Sequence, residues 1–387
     1  MTSDTVTLSD ISINGGNYGI AASAVPYSTK LPTYLRITDI NDNGTINSEG
    51  LMSVSDPNAS KYYLSPNDIV FARTGASTGR NYFYDGADGR FVYAGFLIKF
   101  SIDPKKVNPQ YIKYYCQSNE YYNWIASVNT GSTRGNINAQ TLGNMPVPLP
   151  SRKQQDLLVA TLSALDAQIT SNRAINDNLE QIAKAIFKSW FIDFEPFDGI
   201  MPDSWKDGCL GDIANITSGK RPPFRQVTAS NDANIPLIGA SSIMGFTNDI
   251  LYNEKILITG RVGTHGVIQR CSQPCWASDN TLVVKSNYYE FIYQQLCNID
   301  FSSMNRGSTQ PLITQTDLKN VPIVIPDKAT MLEFEEVARS VMELYEANIC
   351  ESKTLAEMRD ALLPQLMSGE LSVGNLVQMS LLKKNSL

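Results

Sequence analysis

The organisation of this 387-residue chain is decided by a stretch that occurs twice. Residues 129–150 read NTGSTRGNINAQTLGNMPVPLP, and residues 305–326 read NRGSTQPLITQTDLKNVPIVIP. The two stretches align without a gap at a constant offset of 176 residues (305 minus 129), and nine of the 22 positions are identical. Agreement of this extent indicates an internal repeat, in which one structural unit is present twice.

Weaker echoes extend the repeat upstream. They pair Leu8-Ser-Asp-Ile with Leu210-Gly-Asp-Ile, Arg73-Thr-Gly with Arg261-Val-Gly, and Phe96-Leu-Ile-Lys with Thr281-Leu-Val-Val-Lys. Short apolar runs between Gly- and Asn-rich turns, such as residues 68–72 and 281–285, predict strands in both copies. Residues 111–124 are rich in aromatic side chains and predict a helix that contributes to the core. Each copy is therefore expected to be a mixed domain followed by a helix.

Two long helices are the clearest secondary structure in the sequence. After Pro150 the chain lacks Pro and Gly to about Trp190, and an apolar heptad seam with two Asn positions runs through it. Its positions are Leu158, Leu162, Leu165, Ile169, Asn172, Asn176, Leu179, Ala183, Ile186 and Trp190. The second stretch, residues 327–367, offers Val337, Val341, Tyr345, Asn348, Leu355, Leu362 and Leu366 on a comparable face, and Pro364 should end or kink it.

Each helix of roughly 40 residues would be about 60 Å long at about 1.5 Å per residue, which is long for a globular helix. They could be two unrelated amphipathic surface helices. We favour an antiparallel coiled coil, because one helix per repeat gives each an obvious partner. Asn172, Asn176 and Asn348 would then meet near its middle, where a buried Asn fixes the register at some cost in stability.

The sequence thus predicts an α+β fold with a pseudo-twofold internal repeat and five segments. Two mixed α/β domains would be separated by two long helices that form an antiparallel coiled coil. The expected boundaries are a first domain over residues 1–150, a central helix over 151–197, a second domain over 198–326, a distal helix over 327–370 and a C-terminal tail over 371–387.

Composition places the chain among intracellular globular proteins. No stretch reaches the roughly 18 uninterrupted apolar residues of a membrane span, and the polar N-terminus lacks the features of a signal peptide, so a cytoplasmic location is expected. The six cysteines are mostly scattered and do not suggest a disulfide framework. The net charge is −6, yet residues 1–150 and 201–326 are each neutral. The excess acid lies in residues 151–200, with five basic and seven acidic side chains, and 327–387, with six and ten.

Four segments together resemble the specificity subunits of type I restriction–modification enzymes. Residues 146–169, PVPLPSRKQQDLLVATLSALDAQI, are similar to the proline-rich exit from a target recognition domain into a conserved helix, with Gln154-Gln155 where the family usually has Glu-Gln. Residues 179–197, LEQIAKAIFKSWFIDFEPF, resemble the central conserved region and are the most specific match. Residues 201–223 look like the start of a second recognition domain, and residues 358–371 resemble the distal conserved region. The resemblance covers nearly the whole chain up to Leu371.

This resemblance implies a non-catalytic reader of DNA sequence. Family members carry two target recognition domains at opposite ends of an antiparallel helix pair, and each domain reads one half of a split target in double-stranded DNA. The helices set the spacer and dock methyltransferase (modification) subunits, here expected to be two, which bind S-adenosylmethionine and methylate adenine. ATP-dependent restriction subunits can join them. The resemblance implies no cofactor bound by this chain itself and no association with a membrane.

Chemical motifs that would indicate an enzyme are missing from the sequence. Arg221-Pro-Pro-Phe224 superficially resembles the Asn/Asp-Pro-Pro-aromatic loop of an amino-methyltransferase, but Arg supplies no acceptor carbonyl for the base, so a turn is expected. Gly219-Lys220 is followed by Arg221, which does not match a phosphate-binding loop. Cys271, Cys275 and His265 lack an evident fourth ligand for zinc. A structural adaptor would explain the helices but not two diverged domains at a fixed separation.

Base-reading side chains must be long or forked polar groups on loops. In the first domain the candidates for DNA binding are Arg73, Thr74, Ser77, Arg80 and Arg134. In the second domain they are Lys220, Arg221, Arg261, Thr264, His265 and Gln310. Ser132, Thr133, Ser308 and Thr309 are weaker candidates, because their recurrence in both copies indicates a shared structural turn.

Overall fold

The computed structural model describes residues 4–129, 135–304 and 312–367. The chain divides into two compact units. Unit 1 comprises Met1–Thr170 and Ser352–Leu387, and unit 2 comprises Ser171–Glu351. Both units mix helices with sheets, so the predicted α+β class and the two-domain organisation are confirmed.

Unit 1 contains ten strands in the part that the structure describes. They are β1 (Asp4–Thr7), β2 (Asn17–Tyr18), β3 (Ala24–Val25), β4 (Thr33–Leu35), β5 (Met52–Val54), β6 (Asp68–Ala72), β7 (Asn81–Tyr84), β8 (Phe91–Tyr93), β9 (Leu97–Ser101) and β10 (Pro146–Leu149). The strands form a four-stranded sheet of order β2-β9-β6-β7, a second of order β3-β5-β4-β8, and the antiparallel pair β1-β10.

The helices of unit 1 cover the first of these sheets. Its short helices are α1 (Pro109–Tyr115), α2 (Asn119–Val128) and α3 (Ala139–Gly143), and the long helix α4 (Arg152–Phe191) begins in this unit. The predicted aromatic helix over residues 111–124 is present as α1 and α2, with a break at 116–118. Tyr111 and Tyr121 are fully buried with Phe71 and Phe100 of the sheet, so the expectation that these aromatics belong to the core is confirmed.

Unit 2 repeats this arrangement with nine described strands. They are β11 (Lys206–Cys209), β12 (Asn215–Ser218), β13 (Ile235–Ile238), β14 (Ile243–Thr247), β15 (Ile256–Gly260), β16 (Gln269–Cys271), β17 (Trp276–Ala277), β18 (Thr281–Lys285) and β19 (Pro322–Ile325). Its helices are α5 (Leu210–Ile213), α6 (Tyr289–Cys297), α7 (Gln315–Lys319) and α8 (Lys328–Met367), the last of which continues into unit 1.

The sheets of the two units correspond strand for strand over most of their length. The order β12-β18-β15-β16 in unit 2 matches β2-β9-β6-β7 in unit 1, and the pair β11-β19 matches β1-β10. In the remaining sheet, β13 pairs parallel with β17 as β4 pairs parallel with β8. The sequence repeat is therefore a repeat of topology inside each unit.

Segments of the two 40-residue helices pack against each other within each unit. In unit 1, Leu158 and Leu162 of α4 share a core with Leu363 and Leu366 of α8. Helix α8 does not end at Pro364 but continues to Met367. Because proline lacks a backbone N–H, the carbonyl of Asp360 loses its intrahelical donor at this point.

In unit 2 the helix contact includes the polar seam positions. Asn348 Nδ2 donates to Asn176 Oδ1 at 2.9 Å, and Asn176 Nδ2 donates to the Tyr345 carbonyl at 3.1 Å. Asn172 Nδ2 donates to Glu351 Oε2 at 2.8 Å. Asn172, Asn176 and Asn348 are all buried, and these hydrogen bonds offset the cost of removing their amides from water.

Candidate nucleic-acid interface

Three chain segments of unit 1 meet at one end of its first sheet. Strand β6 ends at Ala72, which pairs with Leu97 at the start of β9, and β2 ends at Tyr18, which pairs with Ile98. Tyr18, Arg73 and Phe96 therefore lie together where these strands end. Asn136 joins them, because residues 74 and 136 form an isolated β-bridge. We call Tyr18, Arg73, Phe96 and Asn136 the first sheet end.

The guanidinium of Arg73 is held by its neighbours at the first sheet end. Its Cζ lies 5.0 Å from the centroid of the Tyr18 ring, within the range of a cation–π contact. Its Nη2 lies 3.4 Å from Asn136 Oδ1. Arg73 Nε is buried and has no hydrogen-bond partner among the residues that the structure describes. Such an arginine is oriented by its neighbours before any ligand arrives.

The turn after Arg73 depends on glycine. Gly79 has φ of +90°, and a Cβ there would lie 2.7 Å from Ile125 Cγ2 of α2. The Tyr121 hydroxyl donates to the Gly79 carbonyl at 2.6 Å. A side chain at position 79 would be strained and would also push α2 away, so the glycine keeps this turn packed on the core.

The other predicted contacts of the first domain occupy different surroundings. Thr74 is half-buried beside Asn136, and Ser77 is 9% exposed in a 3₁₀ turn. Arg80 Nε is ion-paired with Asp42 Oδ1 at 2.6 Å, and its Nη1 donates to the Ile40 carbonyl at 3.3 Å. Arg134 lies outside the described residues. The structure thus brings Arg73 and Thr74 to the sheet end and engages Arg80 in an intramolecular pair.

Unit 2 has an equivalent sheet end with the same backbone connections. Strand β15 ends at Gly260, which pairs with Thr281 at the start of β18, and β12 ends at Ser218, which pairs with Leu282. The isolated bridge between residues 262 and 312 matches the bridge between 74 and 136. We call Ser218, Arg261, Asn280 and Leu312 the second sheet end. Its members correspond in order to Tyr18, Arg73, Phe96 and Asn136.

Backbone hydrogen bonds establish this correspondence at Arg73 and Arg261. The amide of Arg73 donates to the Phe96 carbonyl at 3.0 Å, and that of Arg261 donates to the Asn280 carbonyl at 2.8 Å. The Arg73 carbonyl accepts from Ile137 at 2.8 Å, and the Arg261 carbonyl accepts from Ile313 at 3.0 Å. The backbone of each arginine is therefore fixed on both sides by equivalent hydrogen bonds. We call this arrangement of backbone hydrogen bonds around Arg73 and Arg261 the shared frame.

A glycine allows the close chain approach beside each sheet end. A Cβ at Gly19 would lie 2.2 Å from the Ala94 carbonyl oxygen, and one at Gly219 would lie 2.1 Å from the Ser278 carbonyl oxygen. No side chain fits against backbone at that distance, so both positions require glycine. Gly219 thereby places Lys220 and Arg221, whose side chains are exposed, next to the second sheet end.

Arg221 lines a cleft of about 360 Å³ with Phe224, Arg225 and Asn280. The loop that follows Arg261 carries Thr264 and His265. His265 Nδ1 lies 2.7 Å from the Gly263 carbonyl oxygen. A Cβ at Gly260 would lie 1.8 Å from the Thr264 carbonyl oxygen, so this loop turns back tightly on the strand end. Gln310 lies outside the described residues.

Sequence reasoning missed Tyr18, Phe96, Asn136 and Asn280. They come from the ends of different strands, and nothing local marks them as neighbours of Arg73 or Arg261. The strand echo in the sequence begins at Phe96 in one copy and at Thr281 in the other, so it did not show that Phe96 corresponds to Asn280.

Each domain is tied to the long helices by charged groups. In unit 2, Arg270 Nη1 lies 2.6 Å from Glu290 Oε2 and its Nη2 lies 2.8 Å from Glu346 Oε1 of α8. In unit 1, Asp166 of α4 accepts from the Tyr114 hydroxyl at 2.8 Å and pairs with Arg359 of α8 at 3.0 Å.

The start of a domain helix is capped from a long helix in both units. The Glu335 carboxylate of α8 accepts from the backbone amides of Glu290 and Phe291 at 3.2 and 2.8 Å, and burial raises the pKa of Glu335 above its ordinary value. In unit 1 the side chain of Gln155 accepts from the Asn108 amide at 2.8 Å. The sheet ends are thus carried on domains that are firmly attached to helix segments.

Neither a group of metal ligands nor a membrane-spanning helix is present in the part of the chain that the structure describes. Among residues 4–129, 135–304 and 312–367, no three His, Cys, Asp or Glu side chains are grouped as metal ligands would be. Cys271 and Cys275 pack with Ile256 and Ile258 in a small apolar cluster instead. Over the same ranges, no helix is both long and apolar enough to cross a membrane.

Comparison with known proteins agrees with this architecture. Residues 4–181 and 202–337 match the family model of the type I restriction modification DNA specificity domain. The MjaIX type I restriction enzyme specificity subunit of Methanocaldococcus jannaschii is 27% identical over 313 residues, which cover 71% of this chain and 72% of that protein. The HindI specificity subunit of Haemophilus influenzae is 22% identical, with 87% of this chain and 95% of that protein covered.

The fold is also similar to a solved structure. The crystal structure of a type I restriction–modification system S subunit from M. genitalium matches with a TM-score of 0.57 at 16% identity, over 94% of this chain and 95% of that one. The family model spans well over half of the 387 residues, in two separate stretches. The chain belongs to the type I restriction–modification DNA specificity subunits.

Proposed function

We propose that this specificity subunit carries two independent DNA readers and no catalytic site. Each reader recognises one half of a split target in double-stranded DNA through its sheet end and the adjoining loops. The observation that carries the proposal is the shared frame around Arg73 and Arg261, in which the arginine is retained and its neighbours differ. The neighbours in unit 1 are Tyr18, Phe96 and Asn136. The residues at the equivalent positions of unit 2 are Ser218, Asn280 and Leu312. A common scaffold with divergent side chains suits two readers of different sequences.

We further propose that α4 and α8 form an antiparallel coiled coil that sets the spacer between the half-sites. Contacts inside the units support this pairing. Within unit 2, Asn172 of α4 contacts Glu351 and Asn176 contacts Asn348, so partner numbers fall on α8 as they rise on α4. In dimeric readers, a rigid connection restricts the half-sites to one separation and one rotational phase. We propose the boundaries 1–150 and 198–326 for the two domains, 151–197 and 327–370 for the two helices, and 371–387 for the C-terminal tail.

The helices are also the proposed docking surface for other subunits of a cytoplasmic restriction–modification complex. Residues 151–200 and 327–387 hold the excess of acidic over basic side chains, and bare acidic helices near DNA would be repelled by phosphate. Two methyltransferase subunits, one per repeat, would cover them, and ATP-dependent restriction subunits would join that core. The chain itself would bind no cofactor.

Methylation mapping tests two proposals together: that the chain reads a split target, and that the length of the coiled coil sets the spacer. The full chain is produced with its methyltransferase subunit, and methylated adenines are located by single-molecule sequencing. We expect a bipartite target with an unread spacer. Seven residues are then inserted after Asn172 and seven after Glu351, which are hydrogen-bonded to each other. This keeps the heptad in phase and adds about 10.5 Å at about 1.5 Å per residue.

The insertion should lengthen the spacer by about three base pairs at about 3.4 Å each, with both half-sites unchanged. The control places the same seven residues in the exposed turn between Asp85 and Gly86, where spacer and half-sites should both stay the same. Retained methylation with an unchanged spacer in the helix variant would contradict the proposal that α4 and α8 set the spacer length. Methylation without any bipartite target would contradict the proposed function itself.

A further inference from the structure

Position 96 carries side chains of different chemistry in the two units. The Phe96 side chain is 60% exposed, whereas its neighbours Leu97 and Ile98 are completely buried. Its carbonyl accepts from the Arg73 amide at 3.0 Å, so the backbone of residue 96 is fixed next to the oriented arginine while the ring stays exposed. The ring therefore faces solvent at the first sheet end and not in the core.

Asn280 occupies the same position in unit 2. Its carbonyl accepts from the Arg261 amide at 2.8 Å, and its side chain is exposed. The backbone is therefore equivalent, while an apolar ring in one unit is replaced by an amide in the other. A change from a group that cannot hydrogen-bond to one that both donates and accepts alters what the position can recognise on a base edge.

The neighbouring aromatic side chain, Tyr18, is also replaced by a smaller polar one in unit 2. Tyr18, which is 43% exposed and lies over the Arg73 guanidinium, corresponds to Ser218. The first sheet end thus combines two aromatic rings with one cation. Among the groups that base pairs present in the major groove, the 5-methyl of thymine is the apolar one, and phenylalanine is among the side chains that contact it.

We propose that Phe96 is a specificity-determining residue of the first reader and that its ring contacts the 5-methyl group of a thymine. The inference rests on the proposed function, since it names the base feature that one reader recognises. At the equivalent position the amide of Asn280 would pair with adenine, for which asparagine has the matching donor and acceptor. The position occupied by Phe96 and Asn280 therefore distinguishes the two half-sites.

Uracil substitution tests the methyl contact directly, because uracil differs from thymine only by that methyl. The full chain in complex with its methyltransferase subunit is titrated with duplexes of its mapped target, in which each thymine is replaced singly by uracil. One thymine of the first half-site should show a loss of affinity of about fourfold, as expected for one methyl group left out of a contact. In Phe96→Ala the affinity for the thymine duplex should fall, and the same uracil substitution should then have almost no effect.

Ile13→Ala provides a matched control. Ile13 is also 60% exposed, but its amide donates to the carbonyl of Ser101, at the opposite end of β9 from Phe96. This variant should keep the wild-type ratio of thymine to uracil affinities. Phe96→Asn, which copies unit 2, should lose the discrimination as Phe96→Ala does.

Several results would overturn the inference. A first half-site in which no uracil substitution weakens binding would do so, and so would a Phe96→Ala complex with the wild-type thymine-to-uracil ratio. An equal loss on both duplexes would assign Phe96 to stacking or wedging instead. These outcomes leave the proposed function intact, because the target would still be bipartite. A complex that methylates DNA without sequence preference would contradict the proposed function and this inference together.

Discussion

The first and second sheet ends have the same backbone and different side chains. In both, an arginine follows the third strand of the sheet, β6 in the order β2-β9-β6-β7 and β15 in the order β12-β18-β15-β16, and a glycine allows the close chain approach next to it. Around the arginine, unit 1 presents Tyr18 and Phe96 where unit 2 presents Ser218 and Asn280. Close packing and glycine restrict the frame, whereas exposed side chains at strand ends are free to differ, because their exchange costs little stability.

A second difference between the units lies in their attachment to the helices. In unit 2, Arg270 pairs with Glu290 of α6 and with Glu346 of α8, and the side chains of Arg270 and Glu290 are only 7% and 3% exposed. In unit 1, Asp166 of α4 accepts from Tyr114 of α1 and pairs with Arg359 of α8, and both members of this ion pair are 24% exposed. Removing one partner of a buried pair leaves an unpaired charge in the interior, whereas a solvated pair is screened by water. Loss of one partner from the ion pair should therefore cost more stability in unit 2 than in unit 1.

The largest expected effect follows from this difference. Arg270→Met should lower the free energy of unfolding of unit 2 by about 3–5 kcal/mol, and Arg359→Met should lower that of unit 1 by no more than about 1 kcal/mol. Denaturant unfolding followed by tryptophan fluorescence measures both, since Trp190, Trp205 and Trp276 lie in unit 2 and Trp124 lies in unit 1.

The double variant Arg270→Met/Glu290→Gln is the control for the buried pair. It removes the orphaned carboxylate and should recover part of the loss. Equal costs for Arg270→Met and Arg359→Met would show that burial does not distinguish the two attachments.

A smaller effect concerns pH and the helix caps. Glu335 caps α6 in unit 2, whereas neutral Gln155 accepts from the start of α1 in unit 1. Burial raises the folded-state pKa of Glu335, so its protonated form is favoured by folding. That contribution is fully present below the ordinary glutamate pKa and is lost as the pH rises through the raised value. Glu335→Gln should therefore gain stability relative to the wild type over a pH range that begins at the ordinary glutamate pKa of about 4.3 and extends upward through the raised value.

Denaturant unfolding of both proteins across that pH range checks this, with Gln155→Glu as the reciprocal variant. Gln155 is buried, so a carboxylate there should make unit 1 less stable as the pH rises. A stability difference between wild type and Glu335→Gln that does not change with pH would contradict the assignment.

Much of the fold could be predicted from the sequence because it depends on repeated local patterns. The heptad seam around Leu158 and Leu162 predicted a helix that extends through Phe191. Burial of the Asn seam positions was also predicted, and Asn176 and Asn348 are hydrogen-bonded. These features follow from the spacing of apolar and polar residues, which is visible without tertiary information.

The candidate site could be predicted only in part. Arg73 and Arg261 were identified because each belongs to a short Arg-x-Gly echo. Phe96 and Asn136 were missed, because a sheet end is assembled from residues that are far apart in the chain. An exposed phenylalanine beside a strand also has the same local sequence as one that is buried. Side-chain exposure at strand ends depends on the tertiary fold, and the sequence pattern does not contain it.

The central claim is that each unit reads its own half of one target, and single-residue changes at the two sheet ends test it most directly. Arg73→Ala and Arg261→Ala are compared with the wild type by methylation sequencing and by affinity for duplexes altered in one half-site. Each variant should lose about 1–3 kcal/mol of binding free energy and relax one position in a different half of the target. Relaxation of the same half by both variants, or undiminished affinity for the intact target in both, would contradict the account.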